Sequence, residues 1–569
     1  MSSEDNAATK HFLEENYLGL AVQVGSGSLQ MKMSGYTPSG MSSKPCHVGE
    51  FVIIASDSDK KLATIGQISN VVLDSSAQPS EGGGLTSLGT VKLLTTVDFT
   101  SGVISPGVLS APVVGNSVYH TLPELVQSVV EAKNVKSGED DEDHRVQLAL
   151  ANLPDAQRTP VSFTPEMLFG RHMAILGTTG AGKSWSLARL MEECGNHRSK
   201  VILFDATGEY STLKNNTYHV YLGDHPNPPE HAREVAIPYT ELLESDLFAI
   251  FKPRGQSQAP KLRAAMKSLK LADLESGLAL DGKIIKVNKT KNKFQAAYRK
   301  HQEVVDDPHA NFRIEALADQ IYNECVYPSR SEMEPNVWGN INGNDQSHCI
   351  PLINRIQDII NSHTLSPIFK PGDRPSLLKA IDAFLEDENY SVLRVSLQYL
   401  SFEHNAREII TNAMGRHLMQ MARDGKFRKN PVLVTVDEAH QFLNKNLVAD
   451  GQDFPLDSFG MIAKEGRKYA ISVCLATQRP RDIPEDILSQ MGTLVVHRLI
   501  NDKDRGVVER ASTDVDRAVI NSLPTLASGE AVMVGVEFPV PLSVKMRKPK
   551  NPPVSSGPDY QSHWARGLL

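Results

Sequence analysis

Long hydrophobic runs are missing from this sequence. No apolar stretch reaches the roughly 20 residues that a membrane-spanning helix needs, and the polar start, Met1 to Ala8, does not resemble a signal peptide. Cysteine is also scarce, with five in 569 residues and no C-x-x-C pair, which argues against a secreted disulfide framework. We therefore expect no membrane partner and a reducing, cytoplasmic location.

Positive charge is in short supply too. The 59 Lys and Arg residues are outnumbered by 67 Asp and Glu residues, so the formal net charge is −8. This balance argues against a general basic coat for binding nucleic acid, and any DNA contact must be local. The composition is 40% hydrophobic and 22% charged, as in globular proteins, and the length predicts two or three domains.

Residues 1–131 carry short apolar or alternating runs separated by turn residues, a pattern that predicts a small antiparallel β-barrel. These runs are Leu18 to Val24, Leu29 to Met33, Phe51 to Ile54, Leu62 to Val72 and Thr90 to Val97. An acidic linker follows at residues 132–145, including Glu139 to Asp143. Because a small barrel with no evident chemistry more often binds than catalyses, we expect it to dock a partner.

Between residues 146 and 547, apolar β runs alternate with longer helical stretches, which is typical of a mainly parallel α/β sheet. The predicted strands are Met173 to Leu176, Val201 to Phe204, Val392 to Leu397, Val432 to Val436, Ile471 to Ala476, Thr493 to Val496 and Ala531 to Val534. A helical, polar insertion interrupts this core at about residues 240–385. The tail, residues 548–569, is expected to be extended.

A phosphate-binding loop follows the first of these α/β strands. The run Gly177-Thr178-Thr179-Gly180-Ala181-Gly182-Lys183-Ser184 matches G-x-x-x-x-G-K-[ST] between a strand and a helix, which is the context that motif needs. Its glycines let backbone N–H groups turn toward a phosphate, and the helix start adds its positive dipole end. Lys183 would neutralise the β and γ phosphates of ATP, and Ser184 would ligate Mg²⁺.

Two adjacent carboxylates end the strand Val432 to Val436. Asp437 would hold the Mg²⁺ shell, and Glu438 would polarise the attacking water. The ordinary alternative, an N-cap Asp followed by a first-turn Glu, loses because a phosphate loop lies upstream. Glu209, in Asp205-Ala206-Thr207-Gly208-Glu209-Tyr210, is a rival base; alternatively it aligns water, holds Asp205 or contacts a neighbouring subunit. Our prediction for the base is Glu438.

Two further residues are candidates for sensing or stabilising the γ-phosphate. Gln478, in Thr477-Gln478-Arg479-Pro480, ends the strand beside the carboxylate strand, where an amide is placed to report hydrolysis. A strand-ending Gln is otherwise a turn residue. Arg467, in Glu465-Gly466-Arg467-Lys468-Tyr469, has the chemistry of an arginine finger, and its ordinary alternative is a surface arginine in a basic turn.

Taken together, these motifs resemble the HerA family of hexameric DNA translocases, within the HerA and FtsK group of ring ATPases. The matching motifs, in the family's order, are Arg171-His172, Gly177 to Ser184, Asp205 to Tyr210, Asp437-Glu438-Ala439-His440, Glu465 to Tyr469, Thr477 to Pro480, and Leu526 through Gly529-Glu530. The resemblance implies a RecA-like P-loop core, and the N-terminal barrel is similar to the family's HAS barrel. Ala206-Thr207 departs from the Pro-His that many relatives carry.

The resemblance also implies a homo-hexamer that binds ATP and Mg²⁺ between subunits and double-stranded DNA in its central channel. Arg467 would then be donated in trans, with Arg171 as a second candidate. Relatives work with nucleases such as NurA, or with nuclease or sirtuin-like effectors in anti-phage defence. We therefore expect an ATP-dependent translocase or helicase acting with such an effector in defence or DNA end processing. The alternative is an ATP-gated ring scaffold that activates an effector with little translocation.

One basic stretch lies inside the insertion, from Lys283 to Lys300, and is free of acidic residues until Glu303. If it faced the channel it would track phosphates without reading bases. The equally expected alternative is a solvated face of a helix and loop. His440 is expected to be a structural residue on the helix after Glu438, because no metal-binding spacing accompanies it.

Overall fold

The computed structural model describes residues 16–36, 47–55, 62–74, 85–101, 103–131, 145–154, 158–443, 445–449, 452–512, 517–538 and 541–555, together with Tyr560 and Trp564. The acidic run Glu139 to Asp143 and the Gly82-Gly83-Gly84 loop lie outside the described residues. The chain divides into two compact units. The first comprises residues 1–193, 478–481 and 488–549, and the second comprises 194–477, 482–487 and 550–569.

Seven strands and one helix form the N-terminal part of the first unit. They are β1 (Tyr17–Val24), β2 (Ser28–Tyr36), β3 (Phe51–Ala55), β4 (Leu62–Leu73), β5 (Leu85–Asp98), β6 (Ile104–Pro106), β7 (Ser117–His120) and α1 (Pro123–Val130). The strands run in the order β2-β1-β7-β3-β4-β5-β6, and an antiparallel pairing of β2 with β5 closes six of them into a barrel. The predicted small antiparallel barrel is confirmed.

The barrel core forms because alternate side chains of each strand point inward. Leu29 and Met31 of β2, Val52 and Ile54 of β3 and Val91 of β5 are among the residues buried there. The sequence did not predict β6 and β7, which have only three and four residues. β7 nevertheless pairs with both β1 and β3 and so completes the ring.

The chain then forms the first α/β elements, all of whose bounds are as follows: β8 (Leu148–Asn152), β9 (Pro160–Phe163), α2 (Pro165–Phe169), β10 (Met173–Leu176), α3 (Lys183–Gly195), β11 (Lys200–Asp205), β12 (Thr217–Gly223) and β13 (Ala232–Glu234). On α3, Leu187, Leu190, Met191 and Cys194 recur at helical spacing and are buried, as the sequence indicates. This apolar face anchors the helix that follows the phosphate loop.

The insertion is helical. Its helices are α4 (Glu244–Phe251), α5 (Gly255–Leu274), α6 (Lys291–Lys300), α7 (Gln302–Val305), α8 (Leu317–Glu324), α9 (Gly343–Asn361), α10 (Ser366–Phe369) and α11 (Leu377–Glu386). Residues 240–385 are all described and contain no strand, so the helical interpretation of this segment is confirmed.

The remaining elements are β14 (Val392–Tyr399), α12 (Ala406–Arg423), β15 (Val432–Val436), β16 (Lys445–Ala449), β17 (Gln452–Leu456), α13 (Ser458–Glu465), β18 (Ile471–Thr477), α14 (Glu485–Leu488), β19 (Thr493–Val496), α15 (Asp502–Ala511), α16 (Arg517–Ser522), β20 (Glu530–Gly535) and β21 (Leu542–Met546). β16 and β17 form a separate hairpin. None of the described helices combines the length and apolar character of a membrane span.

The second unit holds a parallel set of strands in the order β13-β12-β14-β11-β15-β18. Every residue of β15 is buried, as expected for a parallel strand that is covered on both faces. Because the strands are parallel, the carboxyl ends of β11, β14, β15 and β18 share one edge. The polar motifs after these strands therefore lie along that edge.

The α/β strands of the first unit run in the order β10-β19-β20-β21-β8-β9. β10 and β19 are parallel, as predicted, whereas the pairs from β19 to β9 are antiparallel. Together with the helical insertion and the barrel, these strands complete an α/β fold of the RecA-like P-loop class.

Candidate nucleotide site

The phosphate loop joins β10 to α3 in the first unit. Gly180 and Gly182 have φ angles of 75° and 114°, in the left-handed region that glycine favours. A Cβ built on Gly180 meets nothing within 4 Å, so that side of the loop faces open space. A Cβ on Gly177 would lie only 2.6 Å from His497 Cβ, and one on Gly182 only 3.0 Å from the Gly529 backbone. The motif's glycines thus serve both the turn and close packing.

Backbone hydrogen bonds from the same unit hold the loop in place. The Thr178 N–H and hydroxyl both donate to the Arg498 carbonyl, each at 3.0 Å. The Gly529 N–H donates to the Ala181 carbonyl at 2.9 Å. These contacts fix the middle of the loop from two directions before any ligand is present.

The predicted γ-phosphate sensor touches this loop directly. The Thr179 hydroxyl donates to Gln478 Oε1 at 2.5 Å. Lys183 is buried, with 4% of its surface exposed, and Ser184 is half-buried in the first turn of α3. The structure therefore brings together the loop, its lysine and the sensor amide.

The paired carboxylates follow β15 in the second unit. Asp437 and Glu438 are 1% and 5% exposed, and Glu438 has a φ of 47°. A non-glycine residue in this region is strained, and such strain concentrates at functional sites. Glu438, not Asp437, is the N-cap residue of the short 3-10 turn that follows, and its side chain makes no cap hydrogen bond. The alternative of an N-cap Asp with a first-turn Glu therefore does not describe this pair.

His440 lies on that 3-10 turn, not on an α-helix. Its Nδ1 is 3.3 Å from Glu438 Oε2 and 3.1 Å from the Thr477 hydroxyl. The imidazole therefore helps orient the carboxylate predicted to be the base, a role that the sequence analysis missed. In the sequence, His440 stands two residues after Glu438. A tight turn at that spacing brings the two side chains together.

A second motif loop follows β11. Asp205 is fully buried and accepts hydrogen bonds from the backbone N–H groups of Gly208 and Tyr210, at 2.7 and 3.1 Å. Its third donor is Arg394 Nε, at 2.7 Å, from the buried strand β14. Asp205 is thus held by Arg394 and by the backbone, and none of these three hydrogen bonds comes from the Glu209 side chain.

Glu209 sits at the bend that Asp205 creates. Its Oε2 is buried and has no hydrogen-bond partner in the structure, which is uncommon for a carboxylate oxygen. The Glu209 carbonyl accepts a hydrogen bond from the Val554 N–H at 2.8 Å, and the Thr212 hydroxyl donates to the Pro552 carbonyl at 2.7 Å. The start of the C-terminal tail therefore covers this loop.

Two arginines that the sequence analysis missed support the same loop. Arg394 stands in the buried part of β14. A buried charge requires a partner, and this is the feature of the sequence that could have indicated its role. Arg407 donates to the carbonyls of Leu400 and Ala206, at 2.6 and 3.3 Å, and stacks against Phe402 with its guanidinium 3.6 Å from the ring centre. Burial lowers the pKa of Arg407 to about 10.

His219 of β12 makes the second unit sensitive to acid. Burial, and next the charge of Arg394, lower the His219 pKa from 6.5 to about 4. Since the unfolded chain binds the proton more tightly, this contribution to stability is present above pH 6.5 and is lost as the pH falls toward 4. We expect the free energy of unfolding to fall by about 2 kcal/mol between pH 7 and pH 5, as measured by urea denaturation.

The matched controls are His219→Gln and His363→Gln. The first removes the titrating group and should take away the share of the pH dependence that His219 contributes, about 2 kcal/mol between pH 7 and pH 5. The second replaces a histidine whose side chain is 85% exposed and should leave the slope as in the wild type. An unchanged slope in His219→Gln would show that another group causes the acid sensitivity.

The two arginine-finger candidates are both accessible. Arg467 is exposed on the 3-10 turn Gly466–Tyr469. Arg171 is 45% exposed and lies 3.8 Å from Glu537. Both remain predictions, since a role in trans involves a neighbouring subunit.

Part of the basic stretch in the insertion is neutralised by carboxylates from elsewhere in the chain. Three of its lysines form ion pairs, namely Lys283–Asp319 at 2.8 Å, Lys286–Glu324, and Lys300–Glu275 at 2.6 Å. Lys286 is buried and packs over the Phe294 ring. The sequence showed no acids nearby because these partners come from other helices. The geometry favours the ordinary alternative over a continuous DNA-tracking face.

These residues fit a nucleotide with its magnesium ion. The loop presents an open side at Gly180, a buried lysine follows it, and Ser184 stands in the first turn of the helix, where its hydroxyl suits a divalent cation. The loop, its lysine and its serine have the chemistry of phosphate and Mg²⁺ binding.

The family model described as "Helicase HerA, central domain" matches residues 148–325. The DNA double-strand break repair helicase HerA of Sulfurisphaera tokodaii is 25% identical over 404 residues, covering 70% of this chain and 68% of that protein. The helicase of the same name from Sulfolobus acidocaldarius is 22% identical over 403 residues, covering 70% and 68%. The bacterial conjugative coupling protein TrwB superposes with a TM-score of 0.38 at 15% identity, covering 72% of this chain and 90% of that one.

Proposed function

Since this chain belongs to the HerA family of P-loop ATPases, we propose that it couples ATP hydrolysis to the movement of double-stranded DNA. The observation that carries the proposal is the direct contact between the phosphate loop and Gln478, in a chain whose relatives are named DNA double-strand break repair helicases. A sensor amide that touches the loop is placed to relay the state of the γ-phosphate to the rest of the core.

The phosphate loop and the carboxylates divide the chemistry between them. In this proposal the loop N–H groups and Lys183 would bind the β and γ phosphates, while Ser184 and Asp437 would hold Mg²⁺. When bound, the ion supplies charge neutralisation at the phosphate oxygens. Preorganised charge of this kind is the main contribution a protein makes to phosphoryl transfer.

Glu438 is the general base of the proposed reaction. Its carboxylate polarises the attacking water and accepts the water's proton, and His440 holds one of its oxygens at 3.3 Å. Glu209, with a buried and unpartnered oxygen, aligns that water or contacts a neighbouring subunit. This assignment gives the carboxylates of Glu438 and Glu209 different roles in the reaction.

The working form that we propose is a homo-hexamer with duplex DNA in its channel. The exposure of Arg467 and Arg171 supports their donation to the nucleotide of the next subunit, where a guanidinium stabilises transferring phosphate charge. The N-terminal barrel docks a nuclease or sirtuin-like effector, in DNA end processing or anti-phage defence. Because the described residues of the barrel include no evident catalytic group, binding is the role its fold suits.

The test measures ATP hydrolysis by the full-length protein with and without linear duplex DNA, while mass photometry follows its assembly. We expect duplex DNA to stimulate ATP hydrolysis several-fold, because a translocase couples hydrolysis to DNA bound in its channel. We also expect a particle of hexameric mass. Single-stranded DNA of equal nucleotide concentration is the control. Slow hydrolysis that ignores DNA, from an equally intact ring, would instead support the ATP-gated scaffold.

A further inference from the structure

His497, the first residue after β19, lies directly beneath the phosphate loop. It is fully buried. Its Cβ is 2.6 Å from the position that a Cβ on Gly177 would take, and its Cε1 is 3.6 Å from that of Gly182. The ring thus spans from the first glycine of the loop to the last, and no role described above uses it.

Both ring nitrogens of His497 are hydrogen-bonded. Nδ1 lies 2.8 Å from the Glu530 carbonyl oxygen, and Nε2 lies 2.9 Å from the Ser186 hydroxyl. A carbonyl only accepts, so Nδ1 carries the proton and donates a hydrogen bond to the Glu530 carbonyl oxygen. In the neutral ring Nε2 is then the acceptor, and the Ser186 hydroxyl donates to it.

The environment keeps this ring neutral. Burial is the main cause, and the nearby charge of Lys183 acts in the same direction, so that the His497 pKa falls from 6.5 to about 4. At neutral pH one tautomer is therefore held, with a fixed donor at one end and a fixed acceptor at the other. A ring locked in this way is a rigid strut between β20 and α3.

The turn Ser528–Glu530, to which the His497 ring is hydrogen-bonded, is itself hydrogen-bonded to the phosphate loop. Ser528 donates from its hydroxyl to the Gly180 carbonyl at 3.2 Å, and the Gly529 N–H donates to the Ala181 carbonyl at 2.9 Å. The adjoining Glu530 supplies the carbonyl that His497 holds. The Gly529-Glu530 motif, conspicuous in the sequence but without a role there, is the point where the loop and the imidazole are tied together.

We propose that His497 is a positioning residue for nucleotide binding, which fixes the phosphate loop by tying Ser186 on the helix to the Ser528–Glu530 turn. A loop that is already ordered loses less conformational freedom when a phosphate binds, so its affinity is higher. This proposal concerns the ATPase site alone and does not depend on DNA translocation.

The alternative is a histidine that merely fills the core. The two differ in a measurable way, because a core-filling residue affects the stability of the free protein, whereas a positioning residue affects the affinity for nucleotide. Losing one buried hydrogen bond from the strut costs roughly the energy of a tenfold change in affinity. The effect should appear in the KM for ATP more than in kcat, because the bond acts on the loop and not on the reacting atoms.

Two variants cut the same bond from opposite ends. His497→Asn keeps an amide donor near the place of Nδ1 but removes the acceptor for Ser186, and Ser186→Ala removes the hydroxyl. For each, we expect the Kd of a fluorescent ADP analogue and the KM for ATP to rise about tenfold, with kcat within about twofold of the wild type. Combining them should be no worse than either alone, since they break one shared bond.

The matched control is His219→Asn, which replaces another buried histidine whose pKa is lowered to about 4. It should lower the thermal midpoint while leaving nucleotide affinity unchanged. Wild-type Kd and KM in a folded Ser186→Ala protein would overturn the proposal, and so would fully additive losses in the double variant. Should His497→Asn fail to fold, Ser186→Ala, which removes only one oxygen atom, decides the matter.

Discussion

Replacing Glu438 with Gln will lower kcat for ATP hydrolysis by about a hundredfold or more, because the amide cannot accept the proton of the attacking water. ATP binding should survive, since the loop and Lys183 are untouched. Steady-state phosphate release gives kcat, and a fluorescent ATP analogue gives the Kd. The isosteric change keeps the packing around a side chain that is only 5% exposed, so the loss reports chemistry and not misfolding.

Glu209→Gln is the matched variant for this experiment. It makes the same isosteric change in a motif carboxylate of the same unit, one that the Asp205 bend positions. If Glu209 only aligns water or meets a neighbouring subunit, the fall in kcat will be much smaller than in Glu438→Gln. The reverse order of losses would exchange the roles that we assign to the two carboxylates.

Replacing Arg394 with Met will destabilise the second unit by about 3 to 5 kcal/mol, because it leaves the Asp205 carboxylate buried without its charged partner. The two side chains are 4% and 0% exposed and lie 2.7 Å apart. Urea denaturation monitored by circular dichroism measures the loss. The bend that carries Glu209 should loosen as well, so ATP hydrolysis will fall even at temperatures where the variant stays folded.

Arg374→Met is the control, since Arg374 also contacts a carboxylate through Nε, at 2.6 Å from Glu234, but with side chains 25% and 36% exposed. Exposed pairs contribute about 0 to 1 kcal/mol, so this variant should be nearly as stable as the wild type. Adding Asp205→Asn to Arg394→Met should recover part of the lost stability by removing the stranded charge. A loss below about 1 kcal/mol in Arg394→Met would contradict the account given for this pair.

The strands that the sequence predicted best are those buried on both faces. The structure assigns β10, β15 and β19 to the same residues as the prediction, because each is a short, mostly apolar run. Strands that lie at sheet edges or pair antiparallel, such as β8, β9 and β21, are short and only partly apolar. The pairing of β21 with β8 joins residues that are distant in the sequence, and a local pattern does not reveal it.

The residues of the candidate site also include some that could be predicted from the sequence and some that could not. The phosphate loop and the carboxylate pair are contiguous motifs whose local geometry follows from their residues, so the sequence was sufficient for them. The Asp205–Arg394 pair joins residues 189 positions apart, and the His497–Ser186 bond joins residues 311 positions apart. Each had only a weak local sign, a charge or an imidazole placed within or at the end of an apolar run. Tertiary packing decides what such a residue meets.

Closure of the N-terminal barrel has a consequence for its synthesis and its engineering. The first strand, β1, pairs with the last, β7, as well as with β2, so the ring cannot be completed until Ser117–His120 has left the ribosome. Until then the growing chain exposes the hydrogen-bonding edge of β1, the kind of edge that recruits other chains. Shortened proteins that lack only β1 will leave β2 and β7 with open edges and will aggregate, whereas removal of the whole barrel leaves no such edge behind.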